Sequence, residues 1–191
     1  MSSMSYRRVP VTLVCAAAAI SAGFVVTEVR ATDYMTVAES QKLMFGDATE
    51  FMPMVVALNA DQLRRLADRA GGSARADAWR IWQARQGKTV LGYVVAGAVI
   101  GKFERIHYAV ALSPDGVIRD IEILAYRESH GYEVRNKPWR SQFSGKSASS
   151  PLRIGDDIAN ISGATLSCTH LTEGVRRIAV MAQMALVGKA P

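Results

Sequence analysis

The sequence predicts an α+β domain in which a mainly antiparallel, twisted sheet is flanked by helices, with a long helix at the carboxyl end. Residues 78–126 predict the sheet, because apolar residues recur there in strand-length runs joined by short turns. Apolar residues at helical spacing before this block and at 171–187 after it predict the flanking helices. Because helices and strands occupy separate blocks, the predicted class is α+β.

Two short helices are predicted ahead of the sheet. Each begins with the spacing of a capping box, and the two pairs are Thr36 with Glu39 and Asn59 with Gln62. The predicted helices run from residue 36 to about 45 and from 60 to 69, and Gly71-Gly72 ends the second. Between them, the apolar run Met54–Leu58 predicts a strand or a buried extended segment.

The strands of the predicted sheet then follow in chain order. Their ranges are 79–82, 89–98, 106–112 and 117–126. The Ser113-Pro114-Asp115-Gly116 segment predicts a tight turn, because proline presets one backbone angle and glycine supplies a positive one. Gln86-Gly87 predicts another turn, the glycines at 97 and 101 predict a loop, and Trp139 to Phe143 predicts a short helix.

Composition limits the classes of partner. The chain has 191 residues, is 49% hydrophobic and 21% charged, and carries a formal net charge of +6, so it is globular and large enough for one domain with a core. The first 31 residues contribute a net +2 of this charge. The modest excess suits an anionic ligand or partner. No basic patch interleaved with aromatic residues is present, so we do not expect nucleic acid as a partner.

The amino terminus predicts export. Arg7 and Arg8 precede an apolar run that reaches Val26, and Val29-Arg30-Ala31 offers a cleavage site of small residues. We therefore predict a signal peptide over residues 1–31 and a periplasmic location, with an uncleaved membrane anchor as the alternative. Cleavage would leave Cys168 as the remaining cysteine, so no internal disulfide is expected.

The stretch from Ile161 to Ser167 carries the strongest chemical signal. Gly163 and Ala164 have almost no side chain, so a phosphate could approach the backbone closely where the last helix begins. Thr165 places a hydroxyl at the same point. The alternative is a simple helix cap, in which Ser162, Thr165 or Ser167 satisfies the first N–H groups of the helix.

The Ser162-Gly163-Ala164-Thr165 sequence ahead of a terminal helix resembles the flavinylation motif of the FMN-binding domain family. That family includes the C and G subunits of sodium-pumping and Rnf-type NADH oxidoreductases and the NosR-type periplasmic domains. The order of the preceding segments is also similar: an Asp-Gly turn, a loop with Glu that ends in Gly, and then Phe-x-Gly-Lys. The resemblance covers roughly residues 89–187 and implies that Thr165 carries FMN through a phosphoester made by a flavin transferase outside the cytoplasm.

Two departures from the family pattern are visible. Ala159 stands where relatives usually have Asp, although Asp156 and Asp157 come slightly earlier. Glu128-Ser129-His130-Gly131 replaces a Glu-Thr-Pro-Gly loop. With the resemblance, the chain divides into the signal peptide at 1–31, an N-terminal α/β extension of the same domain at 32–88, and the FMN-binding domain at 89–191.

The resemblance extends the predicted site beyond Thr165. It places Glu128 and Gly131 in the loop that faces the flavin, and Lys146 could balance the phosphate or the charge gained on flavin reduction. The alternatives are a Glu128 carboxylate paired with an arginine and a solvated surface Lys146. The complete set of predicted cofactor-binding residues is Thr165, Ser162, Gly163, Ala164, Leu166, Lys146, Glu128, Gly131, His130 and His170.

Aromatic and histidine residues near the motif have two interpretations. Trp139 could cover the isoalloxazine ring or belong to the core. His130 and His170 lie in the two loops expected to converge on the flavin, and we expect His170 to contact the phosphate or the motif backbone. Their spacing matches no standard metal-ligand set, so no metal is expected, and His107 is predicted as a sheet or core histidine.

The resemblance thus implies an exported electron-transfer protein with covalent FMN on Thr165. It would relay electrons between redox partners, with a membrane-bound donor or acceptor. The sequence contains neither a Gly-rich dinucleotide fingerprint nor a hydrolase-like pairing of nucleophile and base, which favours an electron-transfer component over a stand-alone enzyme. Reversible binding of FMN or another phosphate ligand, and a role in protein contacts alone, are the alternatives.

Overall fold

The strands of the computed structural model, which describes residues 32–73 and 77–188, form one antiparallel sheet. The predicted signal peptide lies outside these residues. The spatial order of the six strands is β1-β6-β5-β4-β3-β2. Their bounds are Thr32–Asp33 for β1, Glu50–Met54 for β2, Arg80–Gln86 for β3, Thr89–Ile100 for β4, Arg105–Leu112 for β5 and Ile118–Tyr126 for β6. Strands from the N-terminal extension therefore share a sheet with those of the resemblance region.

Helices flank this sheet, and the predicted α+β class is confirmed. The four α-helices are α1 at Val37–Met44, α2 at Ala60–Ala70, α3 at Lys137–Arg140 and α4 at Thr165–Ala185. Two 3₁₀ turns, Tyr132–Arg135 and Ser141–Phe143, adjoin α3. Across the residues that the structure describes, no helix combines the length and the apolar character that a membrane span requires.

Local sequence signals account for the first two helices. In α1 the Glu39 N–H donates to Thr36 Oγ1 at 3.2 Å, and the Thr36 N–H donates to Glu39 Oε2 at 2.7 Å. The same reciprocal pair, Asn59 with Gln62, begins α2 at 2.9 Å in both directions. Each box satisfies two N–H groups that the helix leaves unpaired. Gly71, with φ of +77°, ends α2.

The prediction for Met54–Leu58 is corrected in part. The strand comes earlier, at Glu50–Met54, where its residues pair with β3, and the chain then leaves the sheet. Val55 is 97% exposed, whereas Val56 and Leu58 pack against the core. Only a neighbouring strand turns an apolar run into a β-strand, and within the described residues no strand pairs with 55–58. The predicted loop at Gly97 is also wrong, because Gly97 lies within β4.

The sheet is covered on both faces. Alternation along each strand sends one set of side chains toward α2 and α4, including Tyr93, Val95 and Tyr108. The opposite set, including Val94 and Ala109, packs beneath Met44 and Phe45 at the end of α1. Each fully buried apolar side chain contributes about 1.5–3 kcal/mol relative to an exposed one. This packing holds α4 across the sheet and fixes where its first turn lies.

Candidate functional site

Helix α4 begins at Thr165, six residues before the expected Leu171, and its first turn has no side-chain cap. The N-cap residue is Ala164, which has no polar side-chain atom, so the proposed cap by Ser162, Thr165 or Ser167 is not formed. Gly163 has φ of +83°, which lets the chain turn sharply into the helix. The first N–H groups of α4 are thus free of side-chain acceptors at the positive end of the helix dipole, which favours an anion there.

The segment that leads into the motif is anchored to the core. Trp139 Nε1 donates to the Ala159 carbonyl at 2.7 Å, and the Ala159 N–H donates to Gln142 Oε1 at 2.8 Å. Trp139 is buried and meets the Phe143 ring edge-on, with centroids 5.2 Å apart. Of the two interpretations of Trp139, the structure shows the core residue. Its indole fixes the backbone at Ala159, six residues before Thr165, where α4 begins.

Thr165 itself is exposed. Its Oγ1 accepts a hydrogen bond from Asn160 Nδ2 at 3.2 Å. That amide comes from the anchored segment, so it orients the hydroxyl without burying it. An exposed hydroxyl at an uncapped helix start can accept a bulky substituent, because no neighbouring side chain has to move away.

Thr165 lies on the wall of an open cleft of about 570 Å³. Three segments line it: the loop after β4, the loop after β6 and the start of α4. The lining residues are Lys102, Phe103, Glu128, Ser129, His130, Gly163, Ala164, Thr165, Leu166 and Ser167. The volume is within the range of small-molecule sites. The cleft therefore brings together the motif and the predicted Glu128 loop.

Close packing between Gly131 and the motif fixes the floor of the cleft. Gly131 has φ of +84°, and a Cβ there would lie 2.9 Å from the Cβ of Ala164 and 2.7 Å from the Tyr126 hydroxyl. The position thus requires glycine for both conformation and space. The buried Tyr126 hydroxyl donates to the His130 carbonyl at 2.5 Å and lies 3.0 Å from Ser167 Oγ. Burial raises the pKa of Tyr126, so the phenol stays protonated at neutral pH.

Glu128 holds the loop after β4 in place. Its Oε1 accepts the N–H groups of Phe103 at 2.6 Å and Glu104 at 2.9 Å. The arginines named as alternative partners contact other groups: Arg127 lies 3.4 Å from Asp33, and Arg135 lies over the Tyr34 ring. Glu128 therefore lines the cleft and also positions the opposite wall.

Phe103 was not predicted as a site residue. Its side chain is 74% exposed at the rim of the cleft, and Lys102 Nζ lies 4.9 Å from the ring centroid. The two residues follow Gly101 in a loop between strands. An aromatic residue in such a loop was the sequence signal that could have identified Phe103 as a site residue. An exposed aromatic ring on a loop held by Glu128 can cover a planar ligand.

The remaining predicted residues divide between the cleft and other places. His130 lines the cleft, and its Nδ1 lies 2.9 Å from Ser129 Oγ. His170 does not contact the motif: its Nδ1 donates to the carbonyls of Ile100 at 2.6 Å and Gly101 at 3.1 Å. His170 instead faces a second cleft beside α4.

Lys146 is not brought to the cleft. Its Nζ lies 3.0 Å from Asp157 Oδ2, and both side chains are mostly buried. Burial acts to raise the pKa of Asp157, but the Arg153 N–H and the Lys146 ammonium outweigh it, so the pKa lies below its ordinary value of 3.8. The structure therefore uses Asp157 to hold Lys146, which leaves Asp157 unsuited to replace the Asp missing at Ala159.

The site contains no recognisable metal centre. Over residues 32–73 and 77–188, no group of three or more His, Cys, Asp or Glu side chains could hold a metal ion. His107 lies in β5, where burial and nearby arginines lower its pKa. Cys168 is buried in the first turns of α4, and burial raises the pKa of its thiol, so the thiol is neutral at ordinary pH.

Comparison with known proteins agrees with this geometry. The family model of the FMN-binding domain matches residues 101–180, a span that contains both loops of the cleft and most of α4. A curated relative is the G subunit of a proton-translocating ferredoxin:NAD(+) oxidoreductase complex from Clostridium ljungdahlii. It is 28% identical over 129 residues, which cover 63% of this chain and 70% of the relative.

Proposed function

Because residues 101–180 match the family model of the FMN-binding domain, we propose that this chain is an electron-transfer flavoprotein that carries FMN covalently on Thr165. The single observation that supports Thr165 as the attachment site is the position of its hydroxyl. It is exposed, it lies on the wall of the cleft, and it belongs to the uncapped first turn of α4. Phosphate and hydroxyl would therefore meet where the helix dipole favours negative charge.

The residues of the cleft suit FMN in size and chemistry. The first N–H groups of α4 can donate to phosphate oxygens, and Gly163 leaves room for the phosphate to approach. Lys102 supplies a positive charge on the opposite wall. Phe103 and Leu166, 74% and 45% exposed, offer apolar surface for the planar ring system.

Attachment requires a flavin transferase that supplies FMN as a phosphoanhydride. In this proposal Thr165 Oγ1 forms a new bond to phosphorus while the anhydride bond breaks, and the hydroxyl proton leaves with the departing phosphate group. Asn160 donates to Oγ1, so one lone pair is engaged and the other remains available. The diester keeps the flavin attached to the protein. This matters outside the cytoplasm, where FMN that dissociated could not be bound again at a useful concentration.

FMN supplies the redox chemistry, and the chain supplies position and surroundings. The Glu128 carboxylate and the Tyr126 hydroxyl hold the walls of the cleft. One side of the cleft stays open, which suits exchange of electrons with a partner protein. The relative is a subunit of an oxidoreductase complex. By analogy, we propose a membrane-bound donor or acceptor for this protein. The predicted signal peptide supports a periplasmic location after cleavage near Ala31.

The test is the mass of the protein after denaturation. The protein would be produced with its amino-terminal segment in a host that exports a flavin transferase, purified, unfolded and measured. Covalent attachment adds the mass of one FMN less one water, and amino-terminal sequencing of the same sample gives the cleavage site.

Two outcomes of this test would contradict the proposal. Yellow colour lost on unfolding would support the alternative of reversible FMN binding, and Ala159 would then be the first position to restore to Asp. A product that keeps residues 1–31 and stays in the cytoplasm would contradict export.

A further inference from the structure

A second cleft lies on the other side of the loop that follows β4. It has a volume of about 280 Å³ and lies between α4, the end of β4 and Trp79. Its lining residues are Asp77, Trp79, Ala98, Val99, Ile100, Tyr108, His170, Glu173, Gly174 and Arg177. None of the chemistry proposed for Thr165 uses this cleft.

Two glycines create space around a buried hydroxyl in this cleft. A Cβ at Gly174 would lie 2.4 Å from the Tyr108 hydroxyl, and a Cβ at Gly97 would lie 3.3 Å from it. Tyr108 is 1% exposed, yet its hydroxyl has no hydrogen bond to any residue that the structure describes. This hydroxyl is not among the fully buried side-chain atoms that lack a partner in the described chain, so it faces the space of the cleft, where it can donate to a ligand.

Trp79 provides a second donor beside Tyr108. A Cβ at Gly97 would lie 3.3 Å from Trp79 Nε1 as well, so the indole N–H and the phenol face the same small space. Within the described chain, Trp79 Nε1 has no hydrogen bond. Burial raises the pKa of Tyr108, so both groups remain neutral donors at ordinary pH.

The other residues that line the cleft indicate the shape and charge of a ligand that could bind there. The Val99 side chain and the flat indole of Trp79 give the cleft apolar surface. Asp77 is paired with Arg177, with Oδ2 2.8 Å from Nε, which leaves the exposed Glu173 carboxylate at the edge of the cleft. An anionic ligand is therefore disfavoured, and a neutral planar ring with acceptor oxygens is favoured.

We propose that this cleft binds a neutral, planar ring that carries carbonyl oxygens, of the quinone head-group class. One carbonyl oxygen accepts from the Tyr108 hydroxyl and the Trp79 indole N–H. The segment from Ile100 to Phe103 contributes residues to both this cleft and the Thr165 cleft, and His170 is hydrogen-bonded to it. A ring bound in this cleft therefore lies beside the loop after β4, which Glu128 holds in place.

The experiment titrates the purified full chain with duroquinone, whose fully methylated ring does not add to thiols. Two-dimensional ¹H–¹⁵N NMR follows the indole signals, which are assigned by Trp→Phe variants. We expect saturable shifts of the Trp79 indole N–H and of the Gly97 and Gly174 amides, with the other indoles unchanged. Durene, the same ring without carbonyl oxygens, should bind at least several-fold more weakly because it offers no acceptor.

Variants separate a binding role from a structural one. Tyr108→Phe removes only the unpartnered hydroxyl, so the fold should be kept, while the duroquinone affinity falls about fivefold, as expected for one hydrogen bond. Tyr132→Phe, at a 57% exposed phenol away from the cleft, is the matched control and should leave the affinity unchanged. Gly97→Ala, which narrows the cleft, should also weaken binding. Gly46→Ala, where a Cβ would make an ordinary contact with the Lys42 carbonyl oxygen at 3.8 Å, should not.

Three results would overturn the proposal. They are shifts that do not saturate, equal affinity for durene and duroquinone, and unchanged duroquinone affinity in Tyr108→Phe. The titration is repeated in Thr165→Ala, which keeps the second cleft intact. Duroquinone binding in that variant makes the result independent of whether the flavin proposal holds.

Discussion

The hydroxyl of Tyr126, the last residue of β6, lies 3.0 Å from Ser167 Oγ in the first turn of α4. The same hydroxyl donates to the His130 carbonyl. One phenol thus joins the sheet, the loop after β6 and the motif helix. Because all three groups are buried or partly buried, this contact sets the distance between the two walls that meet at Thr165.

Tyr126→Phe keeps the aromatic ring and removes the hydroxyl that contacts the His130 carbonyl and Ser167 Oγ. We expect the free energy of unfolding to fall by about 1–2 kcal/mol, because the His130 carbonyl and Ser167 hydroxyl lose their partner in a poorly hydrated place. Urea denaturation measures the change, and Tyr132→Phe serves as the exposed control. If Tyr126→Phe and Tyr132→Phe have the same free energy of unfolding, water replaces the Tyr126 hydroxyl without loss of stability, which would contradict this prediction.

Thr165→Ala should abolish covalent flavin and leave the fold almost unchanged. Because the N-cap is Ala164, Thr165 does not cap α4, and loss of its bond to Asn160 should cost less than about 1 kcal/mol. In-gel flavin fluorescence after denaturation detects covalent attachment, and thermal unfolding measures the stability of the variant. Ser162→Ala is the control with an exposed hydroxyl nearby. Retained fluorescence in Thr165→Ala, with loss in Ser167→Ala, would move the attachment site.

Glu128→Ala should loosen the wall of the cleft that carries Phe103. The Phe103 and Glu104 amides lose their shared acceptor, so their hydrogen exchange should become about tenfold faster. Glu128→Gln keeps an acceptor oxygen and should show a smaller increase. Exchange rates that stay the same in Glu128→Ala would mean that the loop is held by other contacts.

Phe103→Ala should increase the motion of the bound flavin without affecting stability. The side chain is 74% exposed, so the free energy of unfolding should change by less than about 0.5 kcal/mol. The flavin loses an aromatic surface, and its fluorescence anisotropy should fall. Leu43→Ala, at a 60% exposed residue of α1, is the control. Unchanged anisotropy in Phe103→Ala would place the ring system elsewhere on the cleft.

Lys146→Ala should leave the flavin reduction potential unchanged, because Lys146 is paired with Asp157 and does not line the cleft. It should instead lower the free energy of unfolding by about 1–2 kcal/mol, since a mostly buried carboxylate loses its cation. Redox titration and urea denaturation measure the two effects. A potential lowered by the substitution would restore the charge-balancing role expected from the family resemblance.

The Asp157 pair also makes stability depend on pH. The folded-state pKa of Asp157 is lowered below 3.8, so its contribution is present above that pH and is lost as pH falls through the folded value. The difference in unfolding free energy between the unmodified protein and Asp157→Asn should be constant above about pH 5 and shrink below about pH 4. A difference that does not vary with pH would contradict the assignment.

Features that depend on neighbours along the chain were predictable from the sequence. Thr36 with Glu39 and Asn59 with Gln62 form their capping boxes within four residues, and Ser113–Gly116 turns through its own backbone preferences. The motif is likewise a run of adjacent residues, so its position ahead of the last helix was predictable, although the helix begins six residues earlier than its apolar periodicity indicated. The α+β class followed because periodicity reports which residues face a core.

The tertiary structure decided everything that joins distant segments. Whether Glu128 pairs with an arginine or with the Phe103 and Glu104 amides depends on which loop folds beside it. Lys146 pairs with Asp157 because the two loops that carry them pack together. The cleft at Thr165 and the second cleft at Tyr108 exist only where three or more segments meet. Residue type and spacing determined what each group can do, and packing of the sheet against α4 determined which groups meet.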